Sequence, residues 1–272
     1  MKPPFAYYGG KQRIATRLVS LMPAHEHYVE PFAGSLSVLL VKPRSPMETV
    51  NDLDRVLVTF WSVLRDRPLD LARACALTPH SRVEYEACRD DETPDELETA
   101  RRIFTRLAQG RGSCTGNPKT GWRFYADPAG SGLSMPDYLD AYVSRIVASS
   151  ERLRSVSLEC RPALDVIASY GQHADVLLYA DPPYVRSVRA SSAYRHEMDD
   201  DDHRQLAQAL AGCRATVMLS GYDSPLYDEL YAGWHRQTIE TATGNGGRWE
   251  QRTEVVWSNR PFNEGRLFEV TA

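Results

Sequence analysis

The chain has 272 residues, 42% of them hydrophobic and 25% charged, which is enough to fill a catalytic domain and an insert. A net charge of −4 excludes a protein that coats nucleic acid indiscriminately, because such binders rely on phosphate neutralisation. Five scattered cysteines, Cys75, Cys88, Cys114, Cys160 and Cys213, contain no C-x-x-C pair, so neither a zinc site nor a disulfide framework is expected, and His25 with His27 does not amount to a metal site.

In chain order, Ile14, Leu18, Val19 and Met22 form a helical stripe over Gln12 to Met22 that Pro23 ends. A strand is predicted at Tyr28 to Glu30, a short helix at Leu36 to Val41, a strand at Met47 to Val50 and a helix at Arg55 to Leu64. After Asp66 the βα alternation gives way to charged helical segments and then to a stretch from Gly110 to Gly132 rich in Gly, Pro, Ser and Asn, which reads as loop. Alternation resumes with a strand at Val156 to Glu159, a helix at Ala163 to Tyr170, a strand at Val176 to Ala180, a helix at Asp202 to Ala211 and a strand at Thr216 to Leu219. Two last strands, near Trp234 to Glu240 and Arg252 to Trp257, bracket the hairpin-type connection Gly244-Asn245-Gly246-Gly247. The pattern predicts an α/β fold: a doubly wound, mostly parallel, Rossmann-like sheet with a C-terminal antiparallel hairpin and a mainly helical insert. Residues 1–66 and 156–272 would form the catalytic domain and 67–155 the insert. Ligands on such sheets gather beyond the carboxyl ends of the strands, where Glu30 to Ser35, Asp52, Asp165 and Asp181 all fall.

The segment Asp181-Pro182-Pro183-Tyr184 leaves the apolar strand directly. Two prolines stiffen the turn and supply no N–H donors, so the Asp181 carboxylate and the Pro182 carbonyl are acceptors suited to an aryl amino group, with Tyr184 expected as an exposed face for stacking. Upstream lie Tyr7-Tyr8-Gly9-Gly10-Lys11, Tyr28-Val29-Glu30-Pro31-Phe32-Ala33-Gly34-Ser35 and Val50-Asn51-Asp52-Leu53-Asp54; downstream lie Val217 to Tyr222 and Thr253 to Asn259. The order of these pieces closely resembles the Dam-like, alpha-group DNA N6-adenine methyltransferases over nearly the whole chain. Leu36 and Tyr7 depart from that resemblance, standing where a glycine and a tryptophan are usual. Gly9-Gly10-Lys11 lacks the spacing of a Walker phosphate loop.

The resemblance implies S-adenosylmethionine as cofactor, held by Tyr7, Lys11, Phe32, Gly34, Asp52, Asp165 and Asp181. Within that set Lys11 would pair with the methionyl carboxylate or help close the pocket, Asp52 would accept from the ribose hydroxyls, and Asp165 would lie near the adenine. Asp52 could instead cap the following helix, with Asp54 as competitor. Asp181, Pro182, Pro183 and Tyr184 would carry a direct methyl transfer to N6 of a flipped adenine in double-stranded DNA, with no metal. The alternatives are an amino methyltransferase for cytosine N4, RNA or a protein amide, and an inactive DNA-binding or specificity subunit. A nucleotide-binding dehydrogenase would explain neither the Pro-Pro-Tyr turn nor the basic insert.

Charge is segregated within the insert. Arg101, Arg102, Arg106, Arg111, Lys119 and Arg123 stand without an acid between Arg101 and Tyr125, following eight acids between Glu84 and Glu98. Arg106, Gln109, Arg111, Asn117, Lys119, Trp122 and Arg123 are the candidate DNA contacts, combining phosphate partners with side chains able to read base edges; the basic residues could instead pair with the acidic stretch. Asp199 to Asp202 reads as a helix start opened by Asp202. The absence of a long apolar run or a signal peptide leads us to expect a cytoplasmic protein of a bacterium or a phage-infected cell, without membrane association. We expect a monomer, and a cognate restriction endonuclease is compatible with the resemblance.

Overall fold

Val176–Ala180 is apolar throughout and every residue of it is buried, the pattern of a strand covered by helices on both faces. The computed structural model describes residues 1–90, 92–116, 121–124, 134–188, 194–245 and 248–263. In it this segment is β4, preceded by β1 (His27–Glu30), β2 (Met47–Asn51) and β3 (Val156–Glu159), and followed by β5 (Thr216–Gly221), β6 (His235–Asn245) and β7 (Arg248–Ser258). The strands lie in the order β3-β2-β1-β4-β5-β7-β6. The first five are parallel, while β7 pairs antiparallel with both β5 and β6. Strand order therefore reverses between β1 and β4, and a crevice opens beyond their carboxyl ends. This is the doubly wound sheet with a terminal hairpin that the sequence predicts.

Alternation along the strands divides the core between the two faces. Tyr28, Leu177, Tyr179 and Met218 pack with α1 (Ala15–Ser20) and α2 (Arg55–Asp66). Val29, Leu178, Ala180, Val217 and Leu219 pack with α8 (Ala163–Tyr170), α9 (Asp200–Ala211) and α10 (Pro225–Leu230). The segment between β2 and β3 adds α3 (Pro68–Leu77), α4 (Arg82–Ala87), α5 (Glu96–Gln109), α6 (Met135–Val143) and α7 (Ile146–Leu153). The apolar face of α5, at Ala100, Ile103, Phe104 and Leu107, shares one core with Phe60 and Leu64 of α2, so this segment packs on the sheet's own helix layer.

Three local expectations change. Leu36 to Val41 is a run of turns, not a helix, because Leu36 takes φ 54° and the Leu39 amide donates to the Glu30 carboxylate at 3.0 Å. Asp202 does not open α9: Asp199 caps it, with Asp202 as the reciprocal member of a capping box. α10, unpredicted, starts at a Ser224 cap followed by Pro225. Gly246 and Gly247 of the expected hairpin connection lie outside the described residues.

Leu36 marks where the chain departs from a glycine-rich turn, and it occupies the left-handed region that favours glycine. Its side chain is fully buried in the core. Removing the side chain by Leu36→Ala leaves both the cavity and the strain, whereas Leu36→Gly leaves only the cavity. Both variants should lose stability, and the glycine variant should be the more stable of the two by about 1 kcal/mol in chemical denaturation.

Candidate active site

Five separate segments meet at the carboxyl ends of the strands to line one cavity of about 250 Å³. They are Tyr7 to Lys11, the turn after β1, the end of β2, Pro162 to Leu164 at the start of α8, and Asp181 with Pro183 after β4; Tyr194 to Met198 also line it. Buried Asn51 fastens three of the strand ends. Its Nδ2 donates to the carbonyls of Pro31 (2.9 Å) and Arg161 (3.0 Å), and its Oδ1 accepts from the Arg161 amide at 3.0 Å. Sequence reasoning passed over Asn51, since an asparagine at a strand end carries no signal of its own.

Gly34 has φ 49°, and a Cβ there would sit 3.1 Å from the Tyr7 ring, so the glycine is needed both for the turn and for Tyr7 to close over it. The Gly34 amide donates to Asp52 Oδ2 and the Asp54 amide to Asp52 Oδ1, each at 2.9 Å. Asp54, not Asp52, caps α2, accepting from the amides of Val56 and Leu57. The capping alternative is thereby resolved, and Asp52 faces the cavity with one lone pair of each oxygen still to offer. Burial pushes its carboxyl up to about 6 against the pull of these backbone donors. Glu30, at the end of β1, is pushed up to about 8 by burial, although the Tyr28 hydroxyl and the Leu39 amide oppose the rise.

Lys11 stands at the centre of the polar side. Its buried ammonium lies 2.7 Å from Asp181 Oδ1 and 3.6 Å from Glu254 Oε1, and donates to the Gly9 carbonyl at 2.9 Å. It also sits 4.7 Å from the centre of the Tyr184 ring. Lys11 thus lines the cavity with two carboxylates beside it. Burial acts to lower the Lys11 pKa, but the two carboxylates outweigh it and the group is raised. Asp181 and Glu254 are both raised by burial, with Lys11 pulling each back.

Tyr184 is not exposed. Its side chain is buried, its hydroxyl donates to Glu254, and its ring meets Tyr222 edge-on at 4.6 Å. It does not line the cavity, so the expected stacking face is corrected as well. Pro182 is buried and Pro183 half-buried at the cavity wall. Phe32 lines the cavity as expected, whereas Asp165 is exposed in the first turn of α8 and its neighbours Pro162, Ala163 and Leu164 take that wall. Glu254 escaped the sequence reading because β7 is distant in the chain and its carboxylate belongs to no short motif.

The insert separates internal from external cations. Arg106 is 9% exposed and donates to the carbonyls of Thr115 and Gly116; Gln109 is 2% exposed, donating to the Pro79 carbonyl and accepting from Trp122 Nε1. Both hold the insert together and neither is available to DNA. Arg101 and Arg102 pair with Glu98, and Arg101 also with Glu84, as the acidic stretch allowed. Exposed Arg111 lies 5.0 Å over exposed Phe124. Exposed Arg82, not singled out by sequence, lies 5.0 Å over Trp122 and 5.6 Å over Phe124. Trp122 is half-buried in a stack between His80 and Phe124, and half-buried Arg123 donates to the Tyr138 hydroxyl. Asn117 and Lys119 lie outside the described residues. Among the described residues there is no metal-binding cluster, and no helix is long and apolar enough to cross a membrane.

A sequence model of the D12 class N6 adenine-specific DNA methyltransferases matches residues 7–109 and 141–244. The chain is 27% identical, over 95% of both proteins, to a Type II methyltransferase, M1.LlaDCHI, of Lactococcus lactis subsp. cremoris. Among solved structures it is similar to a precorrin 8W decarboxylase from Methanobacterium thermoautotrophicum (8% identity, TM-score 0.40, 95% of this chain and 98% of that one). It is also similar to the rRNA methyltransferase aviRa from Streptomyces viridochromogenes (13% identity, TM-score 0.38, 95% and 88%).

Replacing Lys11 by Met strands two buried carboxylates, which should cost about 3–5 kcal/mol at neutral pH. Both then hold protons to higher pH in the fold than in the unfolded chain, so the lost stability should return as pH falls from about 8 to about 5. Thermal melts of Lys11→Met across that range, against wild type, check the sign; a deficit independent of pH would contradict the charge assignment.

Proposed function

The chain belongs to the D12 class N6 adenine-specific DNA methyltransferase family, and from that premise we propose that it methylates N6 of an adenine extruded from duplex DNA at a specific sequence. It is a DNA methyltransferase that uses S-adenosylmethionine. The observation that supports adenine most directly is the Asp181 carboxylate, set beside the buried Lys11 ammonium at the cavity wall and followed by two prolines without N–H groups.

The cavity suits this cofactor. Asp52 keeps a free lone pair on each oxygen for two ribose hydroxyls, while Phe32, Leu53 and Leu164 supply apolar wall for a nucleobase. When bound, S-adenosylmethionine supplies an electrophilic methyl group. The amino group of adenine is a poor nucleophile because its lone pair is delocalised into the ring. In the proposed step Asp181 and the Pro182 carbonyl accept its two N–H bonds, favouring a pyramidal nitrogen whose lone pair faces the donor. As positive charge grows on that nitrogen its attraction to Asp181 increases, so the carboxylate binds the transition state more tightly than the ground state. The stiff turn holds both acceptors in place before reaction, which is a contribution of orientation. Tyr184, buried behind the turn, supports it rather than meeting the base.

Residues 67–155 would read the site as an inserted target-recognition domain. Its exposed cations Arg82 and Arg111, backed by Trp122 and Phe124, with half-buried Arg123 against Tyr138, are the surface we assign to duplex DNA, with Lys119 joining them by sequence. We further propose a monomer acting in the cytoplasm of a bacterium or phage-infected cell, beside a cognate endonuclease where it serves restriction.

Incubation with tritiated cofactor and mixed duplex DNA, followed by nucleoside analysis, should yield labelled N6-methyladenine; label in N4-methylcytosine would overturn the assignment. Asp181→Ala should abolish transfer while leaving DNA affinity within about twofold. Arg111→Ala and Arg82→Ala should each weaken DNA binding and reduce the salt slope by about one. Arg106→Ala should instead lower thermal stability through its buried carbonyl partners.

A further inference from the structure

Glu254 lies 3.6 Å from Lys11 and has no part in the transfer step. We propose that Glu254 is a positioning residue for methyl transfer: it shares the Lys11 ammonium so that this cation does not neutralise Asp181, and it anchors the Asp181 turn through the Tyr184 hydroxyl. This rests on the reading of Asp181 as acceptor of the adenine amine.

Strand direction brings Glu254 to the site. β7 runs antiparallel to β5, so its early residues lie at the carboxyl ends of the parallel strands, and Val255, one residue later, pairs with Gly221 at the end of β5. The Glu254 carboxylate is thereby delivered behind the turn that follows β4, with the residue only 3% exposed. There it accepts from the Tyr184 hydroxyl and lies 3.6 Å from Lys11 Nζ, whose other carboxylate, Asp181, is at 2.7 Å.

One ammonium facing one carboxylate would have sufficed to bury Lys11 without net charge. A second buried carboxylate makes the trio net negative and costs desolvation, so it calls for a compensating role. That role follows from the chemistry of the turn. A lone Lys11–Asp181 pair would present a nearly neutral face to the adenine nitrogen as its positive charge develops. With Glu254 drawing on the same ammonium, Asp181 keeps acceptor strength toward the cavity while Lys11 still fixes its orientation. Tyr184, bonded to Glu254 and lying against Lys11, ties the far end of the Pro-Pro turn to the same carboxylate.

The groups facing this cluster are Lys11 from the N-terminal segment, Asp181 and Tyr184 from the turn, Tyr179 from β4 and Tyr222 after β5, with Glu30 of β1 acting on Asp181. Glu254 is the negative neighbour that Glu254→Gln removes with little change of shape. Without it Asp181 ionises more readily, so the acid limb of the rate profile moves to lower pH even as the rate falls.

The test is single-turnover methyl transfer to mixed duplex DNA from pH 5 to 9, with wild type, E254Q, E254D and Y184F as full chains, alongside melting scans and affinities for cofactor and DNA. For E254Q the expected result is a rate about tenfold lower and an acid limb displaced downward by about half a unit or more. Cofactor and DNA affinities should stay within about twofold of wild type. E254D, whose carboxylate is withdrawn by one methylene, should shift the limb the same way by less, which keeps the test decisive if E254Q does not fold. Y184F, which loses the anchor and keeps the Glu254 charge, should slow transfer and, without the hydroxyl that holds Asp181 down, move the limb upward, opposite to the Glu254 variants. A wild-type rate in E254Q, or a limb unmoved in both Glu254 variants, overturns the proposal. A wild type that labels no adenine overturns the adenine reading and this inference with it, whereas an active wild type beside an unmoved limb overturns this inference alone.

Discussion

A buried ammonium shared by two buried carboxylates holds the site of this enzyme together. Lys11, Asp181 and Glu254 come from the N-terminal segment, the turn after β4, and β7, and none would be stable in its place without the others. Each carboxylate is pushed up by burial and pulled back by Lys11, so the charge state of the site is decided by a contest whose outcome depends on Lys11 staying in place. The Gly9 carbonyl accepts from the same ammonium within the N-terminal segment. The fold thus supplies, at the point where strand order reverses, a polar wall in place before any substrate arrives.

The opposite wall is organised by backbone donors instead of a cation. Asn51 clamps the ends of β1, β2 and the chain after β3, and Asp52 beside it is fixed by the amides of Gly34 and Asp54. Asp54 takes over the capping of α2, which releases Asp52 for the cavity. Two adjacent aspartates with one intervening residue therefore divide structural and binding duty. Arg195, from the segment that closes the cavity, reaches back to Asp54 at 3.2 Å, so the helix cap also tethers that segment.

The sheet was legible in the sequence because buried parallel strands are short apolar runs ending in polar residues: β3, α8 and β4 have the bounds that periodicity predicts. Asp181, Asp52, Gly34 and Phe32 were legible for the same reason, since each sits where a strand stops. Pairings across the fold were not. Lys11 shows no partner in the sequence until Asp181 and Glu254 are seen beside it, and Tyr184 reads as a surface ring until Glu254 is seen to hold its hydroxyl. Asp165 misleads because it opens a helix at the right strand end, yet the helical rotation that buries Val166 and Ile167 turns it to solvent. Leu36 shows the opposite limit: composition favours a helix there, and the backbone instead adopts a glycine-like conformation so that the leucine can fill the core.

The same distinction between position and partner governs the insert. Six basic residues in one stretch look equivalent in the sequence, but the fold assigns them to different tasks. Arg101 and Arg102 are consumed by Glu98, and the resulting pairs brace α5 against α4. Arg106 turns inward to the carbonyls of Thr115 and Gly116 in the following loop. Arg111 and, from α4, Arg82 are exposed, each resting its guanidinium on an aromatic ring. Stacking of this kind limits side-chain freedom before a phosphate arrives and lowers the entropy cost of ordering the arginine on binding. A chain with net charge −4 thus carries exposed arginines stacked on aromatic rings, while Glu84 and Glu98 are engaged by the arginines of α5.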